Sequence, residues 1–128
     1  MRIFGRPRTA YAHCDLPCGV YDPAQARIEA ESCYKIMEKY KGSTDETFRQ
    51  RAIVIKEQRA DLVKHHLDVL WHDYFKPEHL EKYPKLHDTF WKAAKLCSKN
   101  KQSVDAQAAA DLQAAVKEIA DIFWATKK

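Results

Sequence analysis

Apolar positions recur at three- and four-residue steps through four long stretches of this chain, the spacing of one buried face on an amphipathic helix. The first stretch predicts a helix over 23–41: Asp22 is placed as N-cap, Pro23 in the first turn and Gly42 as the stop, with a seam of Ala26, Ala30, Cys33, Met37 and Tyr40. Ser43-Thr44-Asp45-Glu46 reads as a capping box opening the second and longest helix, which must end near Phe75 because Pro77 follows. Its expected stripe is Phe48, Ala52, Ile55, Arg59, Leu62, His66 and Val69. A turn over 77–83 leads to a third helix beginning at Pro84, with Leu86, Phe90, Ala93 and Cys97 inward and Lys99-Asn100-Lys101 at its end. The fourth starts near Ser103 and runs almost to Lys128, burying Ala108, Leu112, Val116, Ile119 and Phe123. Four helices with short connections predict an all-α fold, an antiparallel up-down four-helix bundle.

A chain of 128 residues makes one domain with a core large enough to need no disulfide. No apolar run nears the eighteen residues that suggest a membrane span, so no membrane partner is expected. The formal net charge is +4, but Arg2, Arg6 and Arg8 supply three of those charges within the first twelve residues, which hold no acid. The remainder is nearly neutral with its signs interspersed. It lacks the basic stripe that tracks phosphates, so no nucleic-acid partner is expected.

The chemistry concentrates in His13-Cys14-Asp15-Leu16-Pro17-Cys18-Gly19-Val20-Tyr21-Asp22-Pro23. If the bond before His13 were cut, its α-amine and the Cys14 backbone nitrogen would close one chelate ring. The Cys14 thiolate would close a second, and Cys18 would reach a fourth corner. A planar set of two nitrogens and two sulfurs points to Ni(II) or Cu(II) rather than to tetrahedral zinc. The His13 imidazole adds an axial arm able to bind and leave as the metal changes oxidation state, and thiolate and amide donors bring a Ni(III)/Ni(II) couple toward a range that a small oxygen radical can drive.

That segment resembles the nickel hook of the nickel-containing superoxide dismutases, and the likeness continues through Ala24-Gln25-Ala26-Arg27-Ile28-Glu29 and Trp71-His72-Asp73-Tyr74-Phe75. The resemblance implies superoxide as substrate, dioxygen and hydrogen peroxide as products, one nickel ion per subunit, and a homohexamer of four-helix bundles. It implies that His13, Cys14 and Cys18 are the metal ligands, with His13 and Tyr21 acting at the reaction. Asp15, Pro17 and their neighbours would shape the loop, with a cis Leu16-Pro17 bond. Glu29 and Arg59 would form the pair that orients the axial imidazole, and Tyr74 would be a second tyrosine near the site. Without the hook, Arg59 on the expected stripe would be read as reaching a groove edge. With the hook, pairing near Glu29 is the better reading, because a buried guanidinium is costly alone.

Residues 1–12 then read as a propeptide and 13–128 as the mature domain, with the hook at 13–21. Ala10-Tyr11-Ala12 imitates a secretory cleavage site, but Ile3-Phe4-Gly5-Arg6-Pro7-Arg8-Thr9 lacks the apolar stretch such a signal needs. This predicts a dedicated processing peptidase and a cytoplasmic location, the alternative being export. Two other functions compete: a nickel or copper carrier using the same hook, and a structural module with an oxidised Cys14–Cys18 loop. Cys33 and Cys97 read as small core residues, and His66 as a core or interface histidine. His65, His72 and His79 repeat every seven residues, but the helix break before Pro77 argues against a second metal site.

Overall fold

The computed structural model describes residues 18–128. Helix α1 covers Ala24–Lys41. Asp22 Oδ1 accepts the Ala24 N–H at 2.8 Å and Pro23 C=O accepts the Arg27 N–H, so Asp22 and Pro23 start the helix as the sequence predicts. Helix α2 covers Glu46–Val69, and its cap is Asp45, whose Oδ1 accepts the Thr47 N–H at 3.1 Å. The cap therefore lies two residues beyond the expected Ser43. Ser43 Oγ instead accepts the Asp45 N–H, so the serine shapes the turn that presents the aspartate.

The buried face of α2 also differs from the expected stripe. Ala52, Lys56, Ala60, Val63 and Leu67 are buried, while Ile55, Arg59, Leu62 and His66 are half-buried on its flank. The reason is Lys56, a position that hydropathy assigns to solvent. Lys56 is 1% exposed, and its ammonium donates to the carbonyls of Asn100, Lys101 (3.2 Å) and Ser103 (2.7 Å). These carbonyls end α4, where intrahelical donors have run out and the helix dipole favours a cation. Asn100, also buried, donates from its amide to Leu96 C=O and Ala108 C=O, both at 2.9 Å, and so ties the end of α4 to α5.

Past Val69 the helix widens into one π turn, Leu70–Tyr74, closed by Phe75 N–H donating to Leu70 C=O at 3.0 Å. The segment expected as a turn is a short helix, α3 (Pro77–Lys82), which begins with proline and is braced by Lys76 N–H donating to His79 Nδ1. Helix α4 covers Leu86–Gln102, starting two residues after the expected Pro84. Helix α5 covers Ala106–Thr126, capped by Asp105 through the Gln107 N–H. Leu86, Phe90, Ala93 and Cys97 of α4, and Ala108, Leu112, Val116, Ile119 and Phe123 of α5, are buried as predicted.

The four long helices pack in a ring, α1 beside α2, α2 beside α4, α4 beside α5 and α5 beside α1. One apolar core fills the centre, and the expected four-helix bundle is the architecture found. Replacing Lys56 with Met keeps the bulk but removes the donor shared by three terminal carbonyls. Urea unfolding of Lys56→Met is expected to show a loss of about 2–3 kcal/mol, the cost of buried acceptors left unpaired. A loss below about 0.5 kcal/mol would show that the ammonium is dispensable.

Candidate metal centre

Cys18, Gly19 and Val20 lie exposed ahead of α1. Gly19 has φ +76°, in the left-handed region, and a Cβ there would meet nothing within 4 Å, so the glycine is required by backbone conformation and not by space. The turn it makes brings the Val20 N–H to 3.4 Å from Cys18 Sγ.

Tyr21 follows, half-buried, with its ring 5.6 Å from that of Tyr74 at an angle of 57°. Tyr74 is the centre of an aromatic group drawn from three further parts of the chain. Its ring stacks on His79 of α3 (5.5 Å, 10°), tilts against Phe123 of α5 (4.5 Å) and meets Phe75 edge-on (5.1 Å). Lys127 lies 5.2 Å from its ring centre, within cation–π range. The Tyr74 hydroxyl is 2.7 Å from Thr126 Oγ1, which in turn is 2.6 Å from Phe123 C=O. Thr126 and Lys127 carry no motif signal, and His79 stood out only in the seven-residue histidine repeat, so the contacts of all three with Tyr74 were not foreseen from the sequence.

The expected pairing of Glu29 with Arg59 is present. Arg59 Nη1 donates to both carboxylate oxygens of Glu29, at 3.1 and 3.3 Å, across the α1–α2 groove. The side chains are 16% exposed for Glu29 and 36% for Arg59, so the pair sits at a groove edge, between the two readings of Arg59. His66, two turns further along α2, has its pKa lowered chiefly by burial and then by neighbouring His65, with Glu29 opposing the shift.

His13, Cys14, Asp15 and Pro17, with the expected Leu16-Pro17 isomer, lie outside the described residues. Two observations within those residues bear on whether the chain suits a metal at the hook. Arg59 Nε is buried and finds no hydrogen-bond partner among the described residues, a spare donor beside the Glu29 carboxylate that a polar group arriving from the hook would complete. Cys33 and Cys97 are fully buried, and burial pushes both thiols up to about 12, with Cys33 Sγ donating to Lys56 C=O at 3.7 Å. They are core residues, as read from the sequence, and not candidate ligands. The soft donors left are Cys14 and Cys18, so the donor set fits nickel at the hook. Among the described residues no three His, Cys, Asp or Glu side chains gather as a metal site would need.

Fold and site together define a four-helix bundle with an exposed cysteine, Cys18, ahead of its first helix and Tyr21 packed on Tyr74 three residues further on. Comparison with known proteins specifies it further. The family model for nickel-containing superoxide dismutases matches residues 8–127. The nickel superoxide dismutase of Streptomyces coelicolor is 54% identical over 127 residues, covering 99% of this chain and 97% of the relative. That of Streptomyces seoulensis is 55% identical with the same coverage. A native nickel superoxide dismutase structure superposes with a TM-score of 0.87 at 56% identity, covering 91% of this chain and all of that one. The chain belongs to the nickel-containing superoxide dismutase family.

The raised thiol pKa values carry a pH consequence. For each core cysteine the folded value of about 12 exceeds the usual 9.0, so the unfolded chain releases its proton first. The stabilisation is complete below pH 9 and is lost as pH rises from 9 toward 12, by up to about 1.4 kcal/mol per pH unit per thiol. Urea midpoints at pH 8 and pH 10 should therefore fall more steeply for the natural chain than for a Cys33→Ala, Cys97→Ala variant. Equal slopes would show that these thiols ionise without penalty.

Proposed function

We propose that this chain dismutates superoxide to dioxygen and hydrogen peroxide, with one nickel ion per subunit held by the His13 amine and imidazole, the Cys14 amide nitrogen and thiolate, and the Cys18 thiolate. The observation that carries the reading is identity above 50% across nearly the whole length of two curated relatives, each named a nickel superoxide dismutase. When bound, nickel supplies a one-electron couple that accepts an electron from one superoxide and returns it to the next.

The protein's part is to hold donors, orient them and manage protons, two of which are consumed for each pair of superoxide ions. Cys18 is presented by the Gly19 turn with the Val20 N–H on its sulfur. Glu29 and Arg59 are a fixed polar pair suited to holding the His13 imidazole in one orientation. Tyr21, held against Tyr74, flanks the approach to the metal and orders substrate or water there, while Asp15 and Pro17 shape the loop between the two thiolates.

Maturation removes residues 1–12, because the α-amine exists only after cleavage before His13. Coverage supports this: the curated relatives match 99% of this chain, whereas the native solved chain is matched in full by 91% of it. A dedicated peptidase performs the cut. The leader lacks a secretory signal's apolar stretch, which favours the cytoplasm over export. Exposed Ile28, Trp91 and Trp124 are surfaces that subunit contacts in a homohexamer would cover. The carrier reading gains no support, since both curated relatives bear an enzyme's name.

The test is superoxide decay with the nickel-loaded chain that begins at His13. Catalytic decay is expected, and Cys14→Ser or Cys18→Ser should abolish it while the helical circular dichroism is unchanged, because both cysteines precede α1 in the chain and Cys18 is exposed. Tight nickel binding without turnover would sink the enzyme assignment. Glu29→Ala should slow turnover by about 10- to 100-fold without unfolding the bundle, the scale of losing a group that orients a ligand. A rate within twofold of the parent would remove Glu29 from the site.

A further inference from the structure

We infer that Thr126, on the last turn of α5, is a positioning residue that fixes the direction of the Tyr74 hydroxyl proton and leaves Tyr74 a hydrogen-bond acceptor toward its other neighbours. The inference rests on the placement of Tyr74 at the metal centre proposed above, and its structural half stands without that placement.

Thr126 Oγ1 lies 2.6 Å from Phe123 C=O and 2.7 Å from the Tyr74 hydroxyl oxygen. A carbonyl oxygen carries no proton, so the hydrogen in the shorter contact is the threonine's. A hydroxyl has one hydrogen to give, so Thr126 can meet Tyr74 only as an acceptor, and the phenol must donate. The order is Tyr74 O–H to Thr126 O–H to Phe123 C=O, each link at an ordinary O–H···O distance.

The end of α5 makes this arrangement available. Lys127 N–H turns back to Trp124 C=O at 3.2 Å, the tighter bond with which helices close, and the Thr126 hydroxyl serves the Phe123 carbonyl one residue earlier. Phe123 is fully buried, and its ring packs on the Tyr74 ring at 4.5 Å. The carbonyl that sets the direction of the relay therefore belongs to the residue that also positions the phenol.

With its hydrogen committed to Thr126, Tyr74 offers only lone pairs to other neighbours. It can receive a hydrogen bond from the Tyr21 hydroxyl, from water or from a hydroperoxyl O–H, but it does not supply a proton to the forming peroxide. That task falls to Tyr21 or to water.

The direct measurement is the exchange of the Tyr74 hydroxyl proton in the full chain, followed by NMR with labelled tyrosine and assigned by its loss in Tyr74→Phe. Exchange is expected to be about tenfold slower in the natural chain and in Thr126→Ser than in Thr126→Val, which keeps the side-chain shape but cannot accept. Equal exchange in the natural chain and Thr126→Val would overturn the proton's direction. In the nickel-loaded processed enzyme, Thr126→Val is expected to lower the dismutation rate by about fivefold, and Thr126→Ser to restore it. A full rate in Thr126→Val alongside faster hydroxyl exchange would overturn the positioning role. A full rate in Tyr74→Phe would overturn the placement of Tyr74 at the centre and leave the hydroxyl exchange result intact.

Discussion

The bond from Phe75 N–H to Leu70 C=O, one residue longer than an α-helical step, is the constraint on which the aromatic end of the bundle depends. A regular helix would carry residues 70–74 onward at 100° each. The widened turn delays that rotation and keeps Leu70 in the core, with Trp71, Tyr74 and Phe75 packed against it. Tyr74 then meets Tyr21 from the base of the hook, His79 from α3 and Phe123 from α5. Through Tyr21, this aromatic group anchors the segment just ahead of α1 to the bundle.

The opposite end of the bundle is held by different means. Lys56 extends its ammonium from α2 to the terminal carbonyls of α4, and the Asn100 amide joins α4 to α5. Both are buried polar groups whose donors are satisfied by backbone carbonyls, so they lock the position of the helices instead of weakening the core. Neither group involves residues ahead of α1, so this end of the bundle is held by α2, α4 and α5 alone.

Much of this was legible in the residues, for reasons that also explain what was not. Asp22-Pro23 and the α5 series from Ala108 to Phe123 were plain because capping and 3.6-residue periodicity are local signals. Lys56 was misplaced because its burial is compensated by carbonyls more than forty residues away, which hydropathy does not register. The one-position rotation of the α2 stripe follows from that single lysine. The pairing of Glu29 with Arg59 was anticipated through the hook's family likeness, while the contact of Thr126 with Tyr74 was not, since a threonine near a chain end carries no periodicity or motif. The Gly19 turn shows the reverse case, a hook residue whose positive φ gives a physical reason for its identity.

The central claim is that nickel is gripped by a chain end created by proteolysis, on a bundle that is folded beforehand. Equilibrium dialysis against nickel of the chain beginning at Met1 and the chain beginning at His13, both reduced and both helical by circular dichroism, tests it most directly. One tightly held nickel per chain for the shorter protein and none for the longer is the predicted result. Equal nickel uptake by the two would contradict the account, because the ion would then be held without the His13 amine.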